Sequence, residues 1–121
     1  MSHSRPHKGK AEGRKRQASI FAALGDETRL AILAKLCEGY QVSITQLAVD
    51  SPISRQAMTK HLRVLERAGL VHAVRAGRQS FFEFRPKPIE EARDYLEVVS
   101  RQWDEALGRL RSLVERNTEE R

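Results

Sequence analysis

The stretch from Ser54 to Gly69 constrains this chain more than any other. Ser54 is an N-cap residue, Gly69 supplies a stop, and the positions between them predict a helix with two unlike faces. Placed at about 100° per residue, Met58, Leu62 and Leu65 cluster on one side, flanked by His61 and Ala68. Gln56, Thr59, Lys60, Arg63 and Arg67 fall within roughly 100° of one another on the opposite side, with Glu66 at the edge. Such a helix must lie half-sunk in the surface of a helical domain. Its outer face is rich in hydrogen-bond donors and carries no acid.

The flanking segments say what that domain is made of. Ile20, Phe21 and Leu24 mark a first helix that Gly25 breaks. Asp26 caps a second, whose apolar face is Leu30, Ile32, Leu33 and Leu36, ending at Gly39. A brief extended stretch, Val42–Ile44, leads to Thr45, read as the cap of a short helix carrying Leu47 and Ala48, and Ser51-Pro52 supplies a turn. After Gly69, the segments Leu70–Ala76 and Gln79–Arg85 are rich in β-formers and separated by Gly77-Arg78, which predicts a hairpin. Ser80, Phe82 and Phe84 share one side of its second strand. From Ile89 to about Arg116, Ala92, Leu96, Val99, Trp103, Ala106, Leu110 and Leu113 recur at spacings of four and three, and Leu107 and Val114 widen the stripe. That is a helix of roughly 40 Å, longer than so small a domain can cover. The fold class is mainly α with a small β-hairpin, in the order α-α-α-α-β-β-α. Residues 1–16 lack large apolar side chains and are expected to be a disordered basic tail, 17–116 the folded domain and 117–121 a C-terminal tail.

Charge sharpens the reading once it is divided along the chain. Six Lys/Arg against one Glu give residues 1–16 a charge of +5, and eight against two give residues 54–87 +6. The intervening segment is −2 and the last 34 residues are −3, which returns the net +6 of the whole. One ordered segment and one tail therefore hold the positive charge, as in a surface that meets phosphate. No apolar run approaches a membrane span, and no apolar stretch follows the charged N-terminus as in a secretory signal. A single cysteine, Cys37, has no internal disulfide partner. The expectation is a cytoplasmic protein with no membrane association.

A short helix, a turn, a donor-faced helix and a hairpin make a helix-turn-helix with a β-wing. A helix of this width fits the major groove of double-stranded DNA, and the wing reaches the flanking backbone or minor groove. The DNA-contacting residues expected on this basis are Ser54, Arg55, Gln56, Thr59, Lys60 and Arg63 on the helix, with Arg75, Arg78 and Gln79 on the wing. The long final helix and the first helix are expected to pair with a second copy through Ile20, Phe21, Leu24, Leu96, Val99, Trp103, Leu107 and Leu110.

These segments resemble the ArsR/SmtB-type winged-helix repressors over about residues 17–116. The resemblance is carried by Ala23-Leu24-Gly25-Asp26-Glu27-Thr28-Arg29-Leu30-Ala31-Ile32-Leu33, by the run Ile53–Val71 with its His61-Leu62, Leu65 and Ala68-Gly69-Leu70-Val71, and by Gly77-Arg78 with Phe82-Glu83-Phe84. It implies that the helix starting at Ser54 is the recognition helix, that the first and last helices form a homodimer, and that the protein represses transcription from an inverted-repeat operator, its own included. It also implies a departure. Metal-sensing members carry cysteines before the turn or histidines and acids on the last helix. Here Thr45-Gln46-Leu47-Ala48-Val49-Asp50 has no cysteine and the last helix has no histidine, so the expectation is a relative with no metal site, no cofactor and an unidentified inducer.

Several residues invite a sharper role than they are given. His61, beside Met58 and Leu62, is read as a partly buried structural histidine. Cys37 is read as a core or rim thiol, Trp103 as interface core, Arg29 as a bridge from the first turn to a neighbouring helix, and His3 and His7 as tail residues. No nucleophile-base pair or carboxylate pair shares an element, so no enzyme is expected. Two other readings remain open. A winged-helix scaffold that docks a protein would show apolar anchors on the donor face. An RNA-binding module would show an aromatic stacking platform.

Overall fold

The computed structural model describes residues 5–39, 41–49 and 51–119, and the side chains of 9–39, 41–49 and 51–118. His3 and the side chain of His7 lie outside these. The elements are α1 (Arg5–Leu24), α2 (Glu27–Glu38), β1 (Val42–Ser43), α3 (Ile44–Ala48), α4 (Arg55–Arg67), β2 (Val71–Ala76), β3 (Gln79–Phe84) and α5 (Lys87–Glu119). The expected order holds, with one addition. The extended stretch before α3 pairs antiparallel with β3, Val42 opposite Phe82 and Ser43 opposite Phe81, so the wing is a three-stranded sheet in the order β1-β3-β2.

Local chemistry accounts for the boundaries. The Asp26 carboxylate accepts the Arg29 backbone N–H at 3.0 Å and starts α2. That bond, and the positive Arg29 guanidinium nearby, hold its carboxyl below its ordinary value against the opposing effect of desolvation. The cap of α3 is Ser43, not Thr45. Ser43 Oγ accepts from the Gln46 N–H at 3.1 Å while Gln46 Oε1 accepts from the Ser43 N–H at 2.9 Å. Only the Ser-x-x-Gln spacing closes this reciprocal box, and it leaves Thr45 inside the helix. Ser54 caps α4 by accepting from the Ala57 N–H at 3.1 Å. The other end of α4 closes with the Leu70 N–H on Leu65 O and the Gly69 N–H on Glu66 O, both at 2.9 Å. This six-residue wrap needs a left-handed residue, and Gly69 at φ +78° supplies it. Gly77, at φ +65°, opens the two-residue turn of the wing.

One core gathers a contribution from every helix and from β2 and β3. It consists of Ile20, Ala23, Ile32, Leu33, Leu36, Leu47, Met58, Leu62, Leu65, Leu70, Val71, Phe82 and Ala92. Leu30 stands apart from the apolar face expected for α2 and is exposed, and Cys37 is exposed on the same helix.

The stretch read as a disordered tail is helical from Arg5 onward. Lys, Arg, Ala, Glu and Gln all favour helix, and the first half of α5 holds α1 in place. Arg16 bonds Glu91 through two nitrogens, at 2.9 and 3.0 Å, and the Phe21 and Tyr95 rings meet with centroids 6.3 Å apart. Beyond Val99 the side chains of α5 are uncovered. Its 33 residues span roughly 50 Å, and every side chain from Ser100 to Thr118 is exposed.

Candidate nucleic-acid interface

The core-facing side of α4 fixes which side chains are left outside. With Met58, Leu62 and Leu65 buried, Ser54, Arg55, Gln56, Lys60 and Arg63 are all exposed and Thr59 is half-buried. The Thr59 hydroxyl donates to Arg55 O at 2.9 Å, so its proton is committed to the helix and only its oxygen lone pair and methyl group face outward. The Ser54 oxygen is occupied by its cap bond, and its hydroxyl proton stays available. On the wing, Arg75, Arg78 and Gln79 are exposed around the Gly77-Arg78 turn.

Helix and wing tip are neighbours, which their separation in sequence does not show. A cleft of about 220 Å³ is lined by Ser43, Ile44, Thr45, Arg55, Arg78, Gln79 and Ser80. Arg55 reaches across it to Thr45 Oγ1 at 3.4 Å, tying the start of α4 to the first turn of α3. Thr45 is the residue at this site that sequence reasoning missed, because it had been read as a cap. The one acid of the hairpin is kept occupied: Glu83 accepts from Gln41 Nε2 at 2.7 Å. Arg55 at the start of α4 and Arg78 at the wing tip therefore share one end of the molecule.

Behind this surface, a single guanidinium sets the position of α4. Arg29 donates to Ala23 O at 2.7 Å and to Ala22 O at 3.1 Å, and its third contact is His61 Nδ1 at 3.2 Å. An arginine only donates, so Nδ1 accepts and the neutral imidazole carries its proton on Nε2. Asp26 Oδ2 stands 3.8 Å from the same nitrogen. Arg29 and His61 are thus structural, as expected.

The residues expected at a dimer seam divide into two groups. Ile20 is only 2% exposed and belongs to the core of its own protomer, which removes it from the seam. Apolar residues at 20, 21 and 24 all suit one helix face, and packing alone selects which of them turns inward. Phe21, Leu24 and Val99 are half-buried, while Leu96, Leu107 and Leu110 are each more than half exposed and Trp103 is 65% exposed. Leu113 and Val114 continue the same exposed stripe. Among the described residues, no three His, Cys, Asp or Glu side chains gather as a metal site would require, and no helix is long and apolar enough to cross a membrane.

Comparison with known proteins agrees with this geometry. A helix-turn-helix domain family matches residues 24–74. The uncharacterized HTH-type transcriptional regulator YuzN of Bacillus subtilis is 41% identical over 78 residues, covering 60% of this chain and 85% of its own. HTH-type transcriptional regulator Rv2034 of Mycobacterium tuberculosis is 35% identical over 95 residues, covering 78% of this chain and 85% of its own. Among solved structures, an ArsR-like transcriptional regulator from Rhodococcus sp. RHA1 superposes with a TM-score of 0.76 at 37% identity, over 84% of this chain and 92% of that one. Fold, exposed donor face and relatives agree: the chain is a DNA-binding regulator and belongs to the ArsR-like winged helix-turn-helix transcriptional regulators.

Proposed function

We propose that this regulator is a homodimeric repressor that reads an inverted-repeat operator, its own upstream region included. The observation that carries the reading is the exposed, acid-free face of α4 beside the wing tip. Gln56, Lys60 and Arg63 present donors to base edges and phosphates, Ser54, Arg55 and Thr59 hold the N-terminal end of that face, and Arg75, Arg78 and Gln79 embrace the flanking backbone. No apolar anchor interrupts this face, so a protein-docking scaffold is the weaker reading. The uncovered stripe of α5, with Phe21 and Leu24, supports pairing about a two-fold axis. A structural neighbour from Mycobacterium bovis, 24% identical with a TM-score of 0.62, is described as a homodimeric winged helix-turn-helix DNA-binding domain. Residues 17–116 form the reading and pairing unit. The work is done where the chromosome is, in the cytoplasm, and involves no catalytic step.

The test is a mobility-shift titration against the chain's own upstream duplex, an unrelated duplex and single strands at one salt concentration. Preference for the upstream duplex is expected, with a site of two-fold symmetry on footprinting. Equal binding to all three would overturn the proposal.

A further inference from the structure

One sizeable cavity lies outside the surface described above. About 520 Å³ opens between α1, the C-terminal end of α4, the start of β2, the end of β3 and the N-terminal end of α5. Its charged lining is Arg16, Glu66, Arg67, Arg85 and Lys87, with His72 beside them. Four cations thus face one acid across a solvent-open space.

The cations are unequally occupied. Arg16 is bound to Glu91 by two bonds, and Arg67 gives one N–H to Arg63 O at 3.4 Å. Among the described residues, Arg85 and Lys87 form no ion pair. The first turn of α5 adds the positive end of a long helix to the same space. Like charges held together with too few counter-charges repel one another, and an anion among them relieves that repulsion. The volume falls within the roughly 300–1,000 Å³ of small-molecule sites and is larger than a single inorganic ion needs.

The cavity also lies away from the proposed DNA surface. Arg67 is twelve residues, roughly 18 Å, along α4 from Arg55. Val71 and Arg85 are a full strand, roughly 20 Å, from the wing tip. The walls nevertheless include the last turn of α4 and the α1–α5 contact, so an occupant touches the helix that faces DNA and the scaffold that carries it.

We propose that this cavity binds a small organic polyanion, a molecule with two or more carboxylate or phosphate groups, and that its occupancy changes affinity for DNA. The second half rests on the DNA-binding reading above; the first does not. Coupling of this kind is reciprocal, so DNA must change affinity for the anion by the same factor.

The test uses the full chain and two probes, citrate and inorganic pyrophosphate, each compared with chloride at equal ionic strength. Calorimetry is expected to show at least one probe binding equally to wild type and to R78A, and at least tenfold more weakly to R85Q/K87Q. The double variant should keep the wild-type circular dichroism melt and, without probe, its affinity for the upstream duplex. In the mobility-shift assay, the probe should change wild-type affinity at least fivefold and leave R85Q/K87Q unmoved. The site is refuted if neither probe binds wild type, if R85Q/K87Q binds as wild type does, or if R78A loses binding as fully as the double variant. Probe binding with no effect on duplex affinity refutes the coupling. A chain that retains no duplex refutes the DNA-binding reading alone, because calorimetry decides the cavity without DNA.

Discussion

Trp103→Ala separates pairing from folding. In a single protomer Trp103 is 65% exposed, and nothing between Ser100 and Thr118 is buried. Of the roughly 250 Å² a tryptophan can remove from water, about 160 Å² is therefore left for a partner to cover. At about 25 cal/mol per Å², full coverage is worth about 4 kcal/mol per side chain and half coverage about 2. A two-fold seam loses two copies at once, so the variant costs the dimer about 4–8 kcal/mol. With tenfold for each roughly 1.4 kcal/mol, even the smaller figure weakens the dissociation constant about a thousandfold. Sedimentation equilibrium from nanomolar to 100-micromolar protein measures it, with circular dichroism recording whether the separated protomer stays helical. The expected result is a folded monomer. A dimer constant within threefold of wild type would refute the assignment of the seam, and unfolding without dissociation would show that Trp103 serves its own protomer. Ile20→Ala is the contrasting control: buried in the core, it should cost about 2–5 kcal/mol of stability through cavity formation.

Three further outcomes are expected. Gln56→Ala should lower affinity for the preferred duplex by about 1–3 kcal/mol while scarcely changing that for unrelated DNA; Arg78→Ala should weaken all duplexes alike and flatten the log–log salt slope by about 0.9 for each protomer's contact, about 1.8 for the dimer. Both are read by fluorescence anisotropy over a salt series. The Asp26 carboxyl titrates below its ordinary 3.8 in the folded chain, so its charge contributes stability above that value, lost as pH falls through the lowered one. Asp26→Asn keeps a capping side chain without the charge and should give a shallower fall in melting temperature between pH 5 and about 2; identical profiles would count against the cap charge. Duplex affinity should stay within tenfold on adding EDTA and then micromolar zinc, and a larger change would reveal a metal site.

What could be read in the sequence was mostly what short stretches decide for themselves. Ser54 and Gly69 bracket α4 because a cap bond and a left-handed closure each involve only a few consecutive residues. Gly77-Arg78 likewise announces the wing, and the spacing of Ala92 through Leu113 announces α5. The misses all depend on distant partners or on a choice between equivalent local options. α1 is held by α5, with Arg16 and Glu91 seventy-five residues apart. β1 is two residues long and gains its register only from β3. Thr45 and Ser43 are both plausible caps until Gln46 completes the box from one of them. The helical wheel told which side chains of α4 turn inward and which stay outside. That Arg55 meets Thr45, or that Thr59 spends its proton on the helix, is a matter of side-chain reach that a wheel does not hold.

The Arg29 guanidinium limits what that position tolerates. Three acceptors on two other helices share one planar group: the Ala22 and Ala23 carbonyls at the end of α1, and the His61 ring on α4. A lysine carries the same charge, but its ammonium is a single point at the end of a flexible stem and cannot span the separate acceptors as the fork does. Arg29→Lys would strand an α1-terminal carbonyl or the imidazole nitrogen. A replacement that scores as conservative would here act as a deletion, so the position is closed to drift by geometry, with no need for it to touch DNA, partner or ligand.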